Sequence, residues 1–437
     1  MSRRLALAVP LAAAAVALLA GAPSAAEATV SPNPVAQTVG ADARTIVQTD
    51  AIRSGEYWLQ QYGIQKAWAT TEGKGITIAV IDTGVDGNIP DLAGAVTGGT
   101  DFSGLGSANG ETPEGDADDR DHGTMVASLA AGRGTGAGDG LIGVAPQANI
   151  LSISIGFGAQ ATNSDDQIAD AVTWAVNHGA NIINMSLTRN TLTWPPSWDK
   201  AFLYAMDHNV VIVAAAGNRG SGTTEVGAPA TMPGVLTVAG VDRTGSASVD
   251  ASAQGITIGV SAPSEQLLGA TPNGGYVEWE GTSGSTPIVS GVVALVMASH
   301  PGISADNAIE RVISTATDAG AKGVDPIYGY GLVNAAAAVS DKVAPVTKNP
   351  LGSLSAWIKL NRPAVQKAPS TASPTPAATA VPKAAGLPEN PLGVLYPTLT
   401  QLRDVGIPIG VILAFVAAAV TMLVLAARHL GRLRGRR

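Results

Sequence analysis

The sequence predicts an α/β fold in which a central, mostly parallel β-sheet is flanked by helices on both faces. Between residues 71 and 340, apolar runs of strand length alternate with segments of helical spacing. These runs contain no regular polar positions, which is typical of strands buried on both faces. Strand–helix alternation favours right-handed crossovers and a doubly wound sheet, in which sites form at the carboxyl ends of the strands.

The predicted elements follow in a regular order along the chain. The apolar run 76–82 is the first strand, and residues 121–132 form the first helix of the sheet region. A helix at 165–179 has helical spacing and ends at Gly179. Strands are also predicted at 148–155, 180–187, 210–218 and 234–241, a helix at 198–209, and a buried helix in the apolar segment after Ser283.

Composition excludes several classes of function. The chain has 437 residues, enough for one large domain with accessory segments. Its net charge of -8 argues against a nucleic-acid partner, because phosphate binding needs basic patches. The chain contains no cysteine, which excludes disulfides, a thiol nucleophile and thiolate metal sites but is compatible with export.

Residues 1–28 have the pattern of a secretory signal peptide. A basic start is followed by a short apolar run and by small residues near Ala26. We expect cleavage near Ala26 or Ala28. An uncleaved N-terminal anchor is the alternative.

Residues 405–427 predict one C-terminal transmembrane helix. The segment carries no charge and is long enough to span a hydrocarbon core of ~30 Å. The tail that follows, 428–437, contains five arginines, and positively charged flanks stay in the cytoplasm. The two ends together predict a single-pass protein of the cell membrane, with its bulk extracytoplasmic and its C-terminus cytoplasmic. A buried core helix is the alternative for 405–427.

Shifts in composition divide the remaining chain into three zones. Residues 29–56 form an N-terminal extension that is too short to fold independently. This extension either covers a cleft of the main domain or wraps its surface. Residues 57–340 carry the α/β pattern. Residues 341–404 are rich in proline, alanine, serine and threonine, cannot bury a core, and predict an extended linker.

Polar side chains with catalytic chemistry fall at strand ends and helix starts. Asp82 and Asn218 end strands, whereas His122 and Ser283 open helices. A serine hydroxyl needs a base within hydrogen-bond reach, and the base needs an orienting carboxylate. His122 is the best base because it lies at a glycine-flanked helix start beside carboxylates. The other histidines lie near predicted helix C-termini, where they pair with the helix dipole, or beside the membrane segment: His178, His208, His300 and His429.

Five motifs occur in an order that resembles the subtilisin-like serine proteases, the subtilases. They are "AVIDTGVD", "DHGTMVA", "INMSL", "AAAGN" and "GTSGSTP", and the resemblance covers roughly residues 57–340. It implies that these residues form a peptidase domain with the three-layer subtilisin-like fold, and that the protein is a serine endopeptidase.

The resemblance also implies a role for each candidate catalytic residue. Ser283 would attack the scissile carbonyl, His122 would transfer the proton, and Asp82 would hold the imidazole. Asn218 would donate to the oxyanion together with the Ser283 backbone N–H. The alternative for Ser283 is a serine that only caps a buried helix.

A set of substrate-binding residues is implied in the same way. One segment would pair with the extended substrate, and two further segments would form the opposite wall and the floor of its main side-chain pocket. Tight strand packing is the alternative explanation of the small residues. The set comprises Ser186 and Leu187, then Ala215, Ala216 and Gly217, and finally Gly227.

The sequence departs from the family pattern at two places. Gly284 and Ser285 stand where the family usually has methionine and alanine after the nucleophile. We expect Gly284 to alter the pocket shape or the loop rigidity without removing a catalytic group. Thr188 and Arg189 stand where it often has two glycines. Two roles stay open for Arg189, selection of acidic groups or exposure to water.

The implied chemistry requires no cofactor, and the sequence predicts no metal site. The acidic run 116–121 lacks the spacing of an EF-hand and is interpreted as a solvated loop, although subtilases often bind structural Ca²⁺. No histidines and carboxylates cluster with zinc-ligand spacing.

The whole arrangement of segments resembles the mycosins, membrane-anchored subtilases of type VII secretion. Mycosins commonly carry cysteines, and this chain has none. The resemblance implies that the protein processes exported protein or peptide substrates beside a secretion complex. Two alternatives stay open: a general degradative protease of the cell surface, and a subtilase-like scaffold that stabilises a secretion complex with catalysis secondary.

Overall fold

The computed structural model describes residues 48–115, 120–156, 164–272 and 274–362. The predicted signal peptide, membrane helix and basic tail lie outside the described residues, as do most of the linker and residues 29–47 of the extension. These assignments stay predictions.

A seven-stranded sheet with parallel pairing throughout lies at the centre of the fold. The strand order is β2-β3-β1-β4-β5-β6-β7, and the order reverses beside β1, the point at which doubly wound sheets form their sites. The strands are β1 (Thr77–Asp82), β2 (Val96–Asp101), β3 (Asn149–Ser154), β4 (Ile182–Met185), β5 (Val211–Ala215), β6 (Leu236–Val241) and β7 (Ile258–Pro263).

Helices cover the sheet and both ends of the described chain. Two smaller elements lie outside the main sheet. They are a 3₁₀ turn at Pro90–Leu92 and an antiparallel pair of strands, β8 (Leu267–Ala270) with β9 (Tyr276–Trp279). The helices are α1 (Gln48–Gly55), α2 (Trp58–Gln61), α3 (Ile64–Ala67), α4 (His122–Ala131), α5 (Ser164–Asn177), α6 (Pro196–Asp207), α7 (Thr282–Ser299), α8 (Ala305–Ser314), α9 (Ala335–Ser340) and α10 (Leu354–Asn361).

Strand β1 shows why the apolar runs lack polar positions. Ile78 and Val80 pack into a cluster that includes residues of α4 and α7. Ala79 and Ile81 point to the opposite face and pack into a cluster that includes residues of α5 and α6. Both faces of the strand are therefore buried, and the predicted three-layer α/β fold with a parallel sheet is confirmed.

Helix α7 is the central helix of one layer. Within the described residues it is the one helix long and apolar enough to cross a membrane, but 83% of it is buried inside the protein. Its apolar character therefore reflects its place in the core, and the helix brings Ser283 to the edge of the sheet.

The packed part of the chain extends beyond the predicted limits of 57–340. At the N-terminal side, Ile52 of the extension is 4% exposed. At the C-terminal side, Leu354 of α10 is buried, and Arg362 forms an ion pair of 2.7 Å with Asp199 of α6. The predicted linker, 341–404, thus includes the short helix α10 before its proline-rich part, and Leu354 of this helix is buried.

Candidate active site

A cavity of about 230 Å³ opens at the carboxyl ends of β1, β4 and β5. The sequence predicted a site at this edge, because the candidate residues follow strands or begin helices there. The described residues that line the cavity are Thr83, His122, Ser186, Leu187, Thr188, Ala215, Gly217, Asn218, Thr282 and Ser283.

His122 and Asp82 form a hydrogen-bonded pair at the edge of this cavity. The His122 Nδ1 atom lies 2.8 Å from Asp82 Oδ1 and 3.0 Å from Oδ2. Asp82 is fully buried at the end of β1 and also accepts a hydrogen bond from the Thr83 backbone N–H at 2.8 Å. The Thr83 hydroxyl in turn accepts from the Gly123 backbone N–H, which ties the start of α4 to the end of β1. The imidazole is thereby held with Nδ1 toward the carboxylate.

Ser283 is half-buried in the first turn of α7, in the same cavity as His122. Its hydroxyl donates to the Ser186 backbone carbonyl at 3.2 Å. The Ser283 side chain and the His122 ring thus line the same cavity.

Asn218 is held in a defined orientation by Thr282. Its side-chain Oδ1 accepts hydrogen bonds from the Thr282 backbone N–H at 2.9 Å and from the Thr282 hydroxyl at 2.8 Å. The Nδ2 group, which takes no acceptor among the described residues, is thus the group left to donate. Gly281 has φ 134°, and a β-carbon there would lie 2.7 Å from Asn218 Nδ2, so this position requires glycine.

Sequence reasoning missed a buried hydrogen-bond network behind the serine. Pro287 has no N–H, so the Ser283 carbonyl lacks its usual helical donor, and the Ser186 hydroxyl donates to that carbonyl at 2.8 Å. The Ser186 oxygen accepts from Asn184 Nδ2 at 3.0 Å, and Asn184 Oδ1 accepts from the Ser290 hydroxyl at 2.9 Å. The network joins the end of β4 to α7, and Pro287 is the signal in the sequence that an outside donor is needed.

The absence of a side chain at Gly284 has a structural reason. A β-carbon at Gly284 would overlap the Leu267 Cδ1 atom and lie 3.3 Å from the Trp279 ring. Leu267 and Trp279 therefore fill the space beside the serine. Trp279 also contacts His122 edge to face, with ring centroids 5.7 Å apart.

The structure brings four of the six predicted substrate-binding residues to the cavity. Ser186 and Leu187 line one wall, and Ala215 and Gly217 line the opposite wall. The other two lie away from the lining: Ala216 is fully buried in the second core cluster, and Gly227 lies against a neighbouring backbone carbonyl.

The Arg189 side chain is turned away from the cavity. Its guanidinium forms an ion pair with Asp165 of α5 and lies 5.5 Å from the centre of the Trp198 ring. Arg189 thus belongs to a partly exposed ion pair, and it is not among the described residues that line the cavity.

Two carboxyl groups near the site have raised pKa values. Burial raises the pKa of Asp121, which precedes His122. Burial, together with the charges of Glu265 and Asp250, raises the pKa of Glu280, which precedes Gly281. Both carboxyl groups therefore retain protons to a higher pH than ordinary acidic side chains do.

Metal binding has no candidate among the described residues, which contain no group of three or more metal-ligating side chains. Residues 116–119 of the acidic run lie outside the described part of the chain. The interpretation of that run as a solvated loop, and the question of structural Ca²⁺, are therefore untested.

Comparison with known proteins extends these observations. The family model described as "Subtilase family" matches residues 73–331. Fervidolysin from Fervidobacterium pennivorans is 35% identical over 317 residues, which cover 65% of this chain and 44% of fervidolysin. Thermitase from Thermoactinomyces vulgaris is 35% identical over 285 residues, which cover 64% of this chain and 96% of thermitase. The chain thus spans less than half of fervidolysin's length but nearly all of thermitase's.

A solved structure is similar over much of the chain. The crystal structure of MycP1 from the ESX-1 type VII secretion system has a TM-score of 0.58 and 30% sequence identity, and the match covers 68% of this chain and 88% of MycP1.

Proposed function

The chain belongs to the subtilase family, and we propose that it is a membrane-anchored serine endopeptidase that hydrolyses peptide bonds outside the cytoplasm. One observation carries the proposal. The His122 Nδ1 atom lies 2.8 Å from the buried Asp82 carboxylate, in a cavity that also contains Ser283 and the oriented amide of Asn218.

Acylation is the first half of the proposed reaction. The Ser283 oxygen attacks the carbonyl carbon of the scissile bond while His122 Nε2 accepts the hydroxyl proton. Asp82 stabilises the imidazolium that forms and keeps the ring in the required tautomer. His122 then gives the proton to the leaving amine as the C–N bond breaks, and an ester to Ser283 remains.

Stabilisation of the tetrahedral oxyanion is assigned to two donors. Asn218 Nδ2 is one, because Thr282 occupies the Oδ1 end of the same amide. The Ser283 backbone N–H is the other, since N–H groups in the first turn of a helix have no helical acceptor. The loss of one such donor typically lowers the rate about 100- to 1000-fold.

Deacylation repeats these steps with water as the nucleophile. His122 takes a proton from the water that attacks the ester, and then returns a proton to Ser283 as the acid product leaves. All groups in this scheme belong to the chain, and no step requires a metal or cofactor.

Hydrolysis of a quenched fluorescent peptide by the full-length protein in detergent tests this proposal. We expect turnover by the wild type and none above background by Ser283→Ala. Ser221→Ala, which removes an exposed hydroxyl outside the lining of the cavity, serves as the matched control and should retain activity. Equal rates in wild type and Ser283→Ala would contradict the assignment of the nucleophile.

The membrane anchor is a second part of the proposal, supported by the uncharged segment 405–427 and the arginine-rich tail. Because the chain contains no cysteine, a single introduced cysteine gives a unique chemical label. In intact cells, a maleimide that does not cross membranes should label Ser370→Cys in the linker but should label Gly435→Cys in the tail only after permeabilisation. Labelling of both in intact cells would contradict this topology.

A role beside a type VII secretion machine is supported by the similarity to MycP1, whose structure is described as coming from the ESX-1 type VII secretion system. We therefore propose that exported proteins are the substrates. A host strain that carries Ser283→Ala in the chromosome should accumulate uncleaved forms of exported proteins. The scaffold alternative would be favoured by two results together. Exported proteins would be processed and exported normally in the Ser283→Ala strain, and their export would be lost in a strain that lacks the whole chain.

A further inference from the structure

Thr188 lines the cavity beside Ser283 and lies between two segments that the sequence predicted to form its side-chain pocket. A β-carbon placed on Gly217, in one wall of the cavity, would lie 3.1 Å from the Thr188 Cγ2 atom. A β-carbon placed on Gly227, behind that wall, would lie 2.6 Å from the Thr188 Oγ1 atom. The Thr188 side chain therefore lies against both the wall at Gly217 and the Gly227 segment, which the sequence predicted as the floor.

Backbone contacts prevent Thr188 from moving aside as a unit with its neighbours. The Arg189 N–H donates to the Ala228 carbonyl at 2.8 Å. The Arg189 carbonyl lies directly against Gly227, where any β-carbon would overlap it. The segment that carries Thr188 is thus fixed to the Gly227 segment, which the sequence predicted as the floor.

A second threonine, Thr223, lies against the same glycine from outside the lining of the cavity. The Thr223 hydroxyl donates to Asn190 Oδ1 at 2.6 Å, and its Cγ2 atom would lie 2.5 Å from a β-carbon on Gly217. The Thr188 hydroxyl donates to the Arg189 carbonyl at 3.2 Å. The hydroxyls of Thr188 and Thr223 therefore both donate to neighbouring oxygens, and their methyl groups lie near the same point beside Gly217.

The part of the cavity lining that the structure describes also offers no carboxylate, lysine or arginine with which to bind a long polar side chain. Arg189 is paired with Asp165, and His122 is the sole ionisable residue among the described residues that line the cavity. The cavity of about 230 Å³ must hold the scissile carbonyl as well as the side chain that precedes it.

From these contacts we infer that the protein selects substrates with alanine, glycine or serine immediately before the scissile bond, and that Thr188 determines this selection. The inference rests on the proposed serine endopeptidase function and adds the substrate class to it. A leucine or phenylalanine side chain at that position would need the space that Thr188 fills.

A set of peptides that differ only in the residue before the scissile bond tests the inference. For the full-length wild type, kcat/KM should be higher for the alanine peptide than for the phenylalanine peptide by about 100-fold or more, the range that pocket fit provides. Thr188→Gly should reduce this ratio at least 10-fold by admitting phenylalanine. Thr188→Val should keep the ratio, because valine has the shape of threonine.

The matched control is Thr193→Gly, which makes the same change at an exposed position outside the lining of the cavity. It should leave the ratio and both rates as in wild type. If Thr188→Gly does not fold, as judged by its melting curve, Thr188→Ala takes its place and should also lower the ratio.

Active-site titration with a fluorophosphonate separates failure of this inference from failure of the proposed function. Wild-type protein that reacts at Ser283 but cleaves the alanine and phenylalanine peptides equally well would overturn the inference and leave the function intact. An unchanged ratio in Thr188→Gly would overturn the role of Thr188. Protein that neither reacts nor hydrolyses any peptide of the set would contradict the proposed function, and the inference with it.

Discussion

We expect loss of the hydrogen bond between Ser290 and Asn184 to lower both the stability and the activity of the protein. Both residues are fully buried, and the Ser290 hydroxyl donates to Asn184 Oδ1 at 2.9 Å. Ser290→Ala removes this donor and leaves the Asn184 oxygen without a partner among the described residues. The adjoining bonds from Asn184 to Ser186, and from Ser186 to the Ser283 carbonyl, then lose their support.

The expected cost follows from the burial of the orphaned oxygen. An unsatisfied buried acceptor typically costs about 1–3 kcal/mol. Because Ser290 and Asn184 are each 0% exposed, water cannot replace the lost donor without rearrangement, and a value within that range is expected. We also expect kcat to fall by a larger factor than KM rises, since the network holds the nucleophile.

Urea unfolding and peptide hydrolysis measure the two effects. Ser299→Ala is the matched control, because it removes a hydroxyl from the same helix at its half-buried end, where Ser299 donates to the Val296 carbonyl at 2.9 Å. The reasoning would be refuted if Ser290→Ala had the same free energy of unfolding as Ser299→Ala and the same kcat as wild type.

Three further predictions concern other parts of the fold. Asp82→Asn should lower the kcat of peptide hydrolysis by about 10⁴-fold, as in other Ser-His-Asp enzymes, because the His122 ring loses its required tautomer. A loss of less than tenfold would count against the role proposed for Asp82. Gly284→Met should lower the free energy of unfolding in urea by about 1–3 kcal/mol, because Leu267 fills the space that the new side chain needs. Adding Leu267→Ala to the same chain should recover part of this loss. No destabilisation by Gly284→Met alone would argue against this packing. Burial raises the pKa of Glu56 well above its ordinary value, so the folded state binds this proton more tightly than the unfolded state does. The free energy of unfolding should therefore fall as pH rises from the ordinary pKa to the raised one, and Glu56→Gln should flatten this pH dependence. Urea unfolding at several pH values measures it, and the same pH dependence in wild type and Glu56→Gln would contradict the assignment.

Strands with unbroken apolar runs were predictable from the sequence, whereas two other strands of the sheet were not. The strand β1 has a run of apolar residues that only a doubly covered strand explains. Strand β2 reads "VTGGTD" and is partly exposed, and β7 reads "IGVSAP". Their glycine, serine and proline residues hide the strand pattern, and only pairing with β3 and β6 establishes them.

The candidate site was predictable where its residues belong to motifs next to strand ends. His122, Ser283 and Asn218 line one cavity, and Asp82 lies behind His122, because parallel strands end together at this edge of the sheet. The Asn184–Ser290 contact was not predictable, since 106 residues separate the two and only the packing of α7 on β4 joins them.

The direction of a side chain was also beyond sequence reasoning. The sequence identified the Thr188–Arg189 segment as a departure from the family pattern but left the role of Arg189 open. The ion pair with Asp165 holds the Arg189 side chain outside the lining of the cavity, whereas Thr188 belongs to that lining. Tertiary contacts made by α5 and by the Gly227 segment decide this orientation.

The central claim is that His122 and Asp82 activate Ser283. The most direct test is mass-spectrometric mapping of the residue that a fluorophosphonate modifies in the full-length protein. The account predicts one adduct, on Ser283, and at the same dose none in His122→Ala. An unmodified Ser283, or equal modification of Ser283 in wild type and His122→Ala, would contradict it.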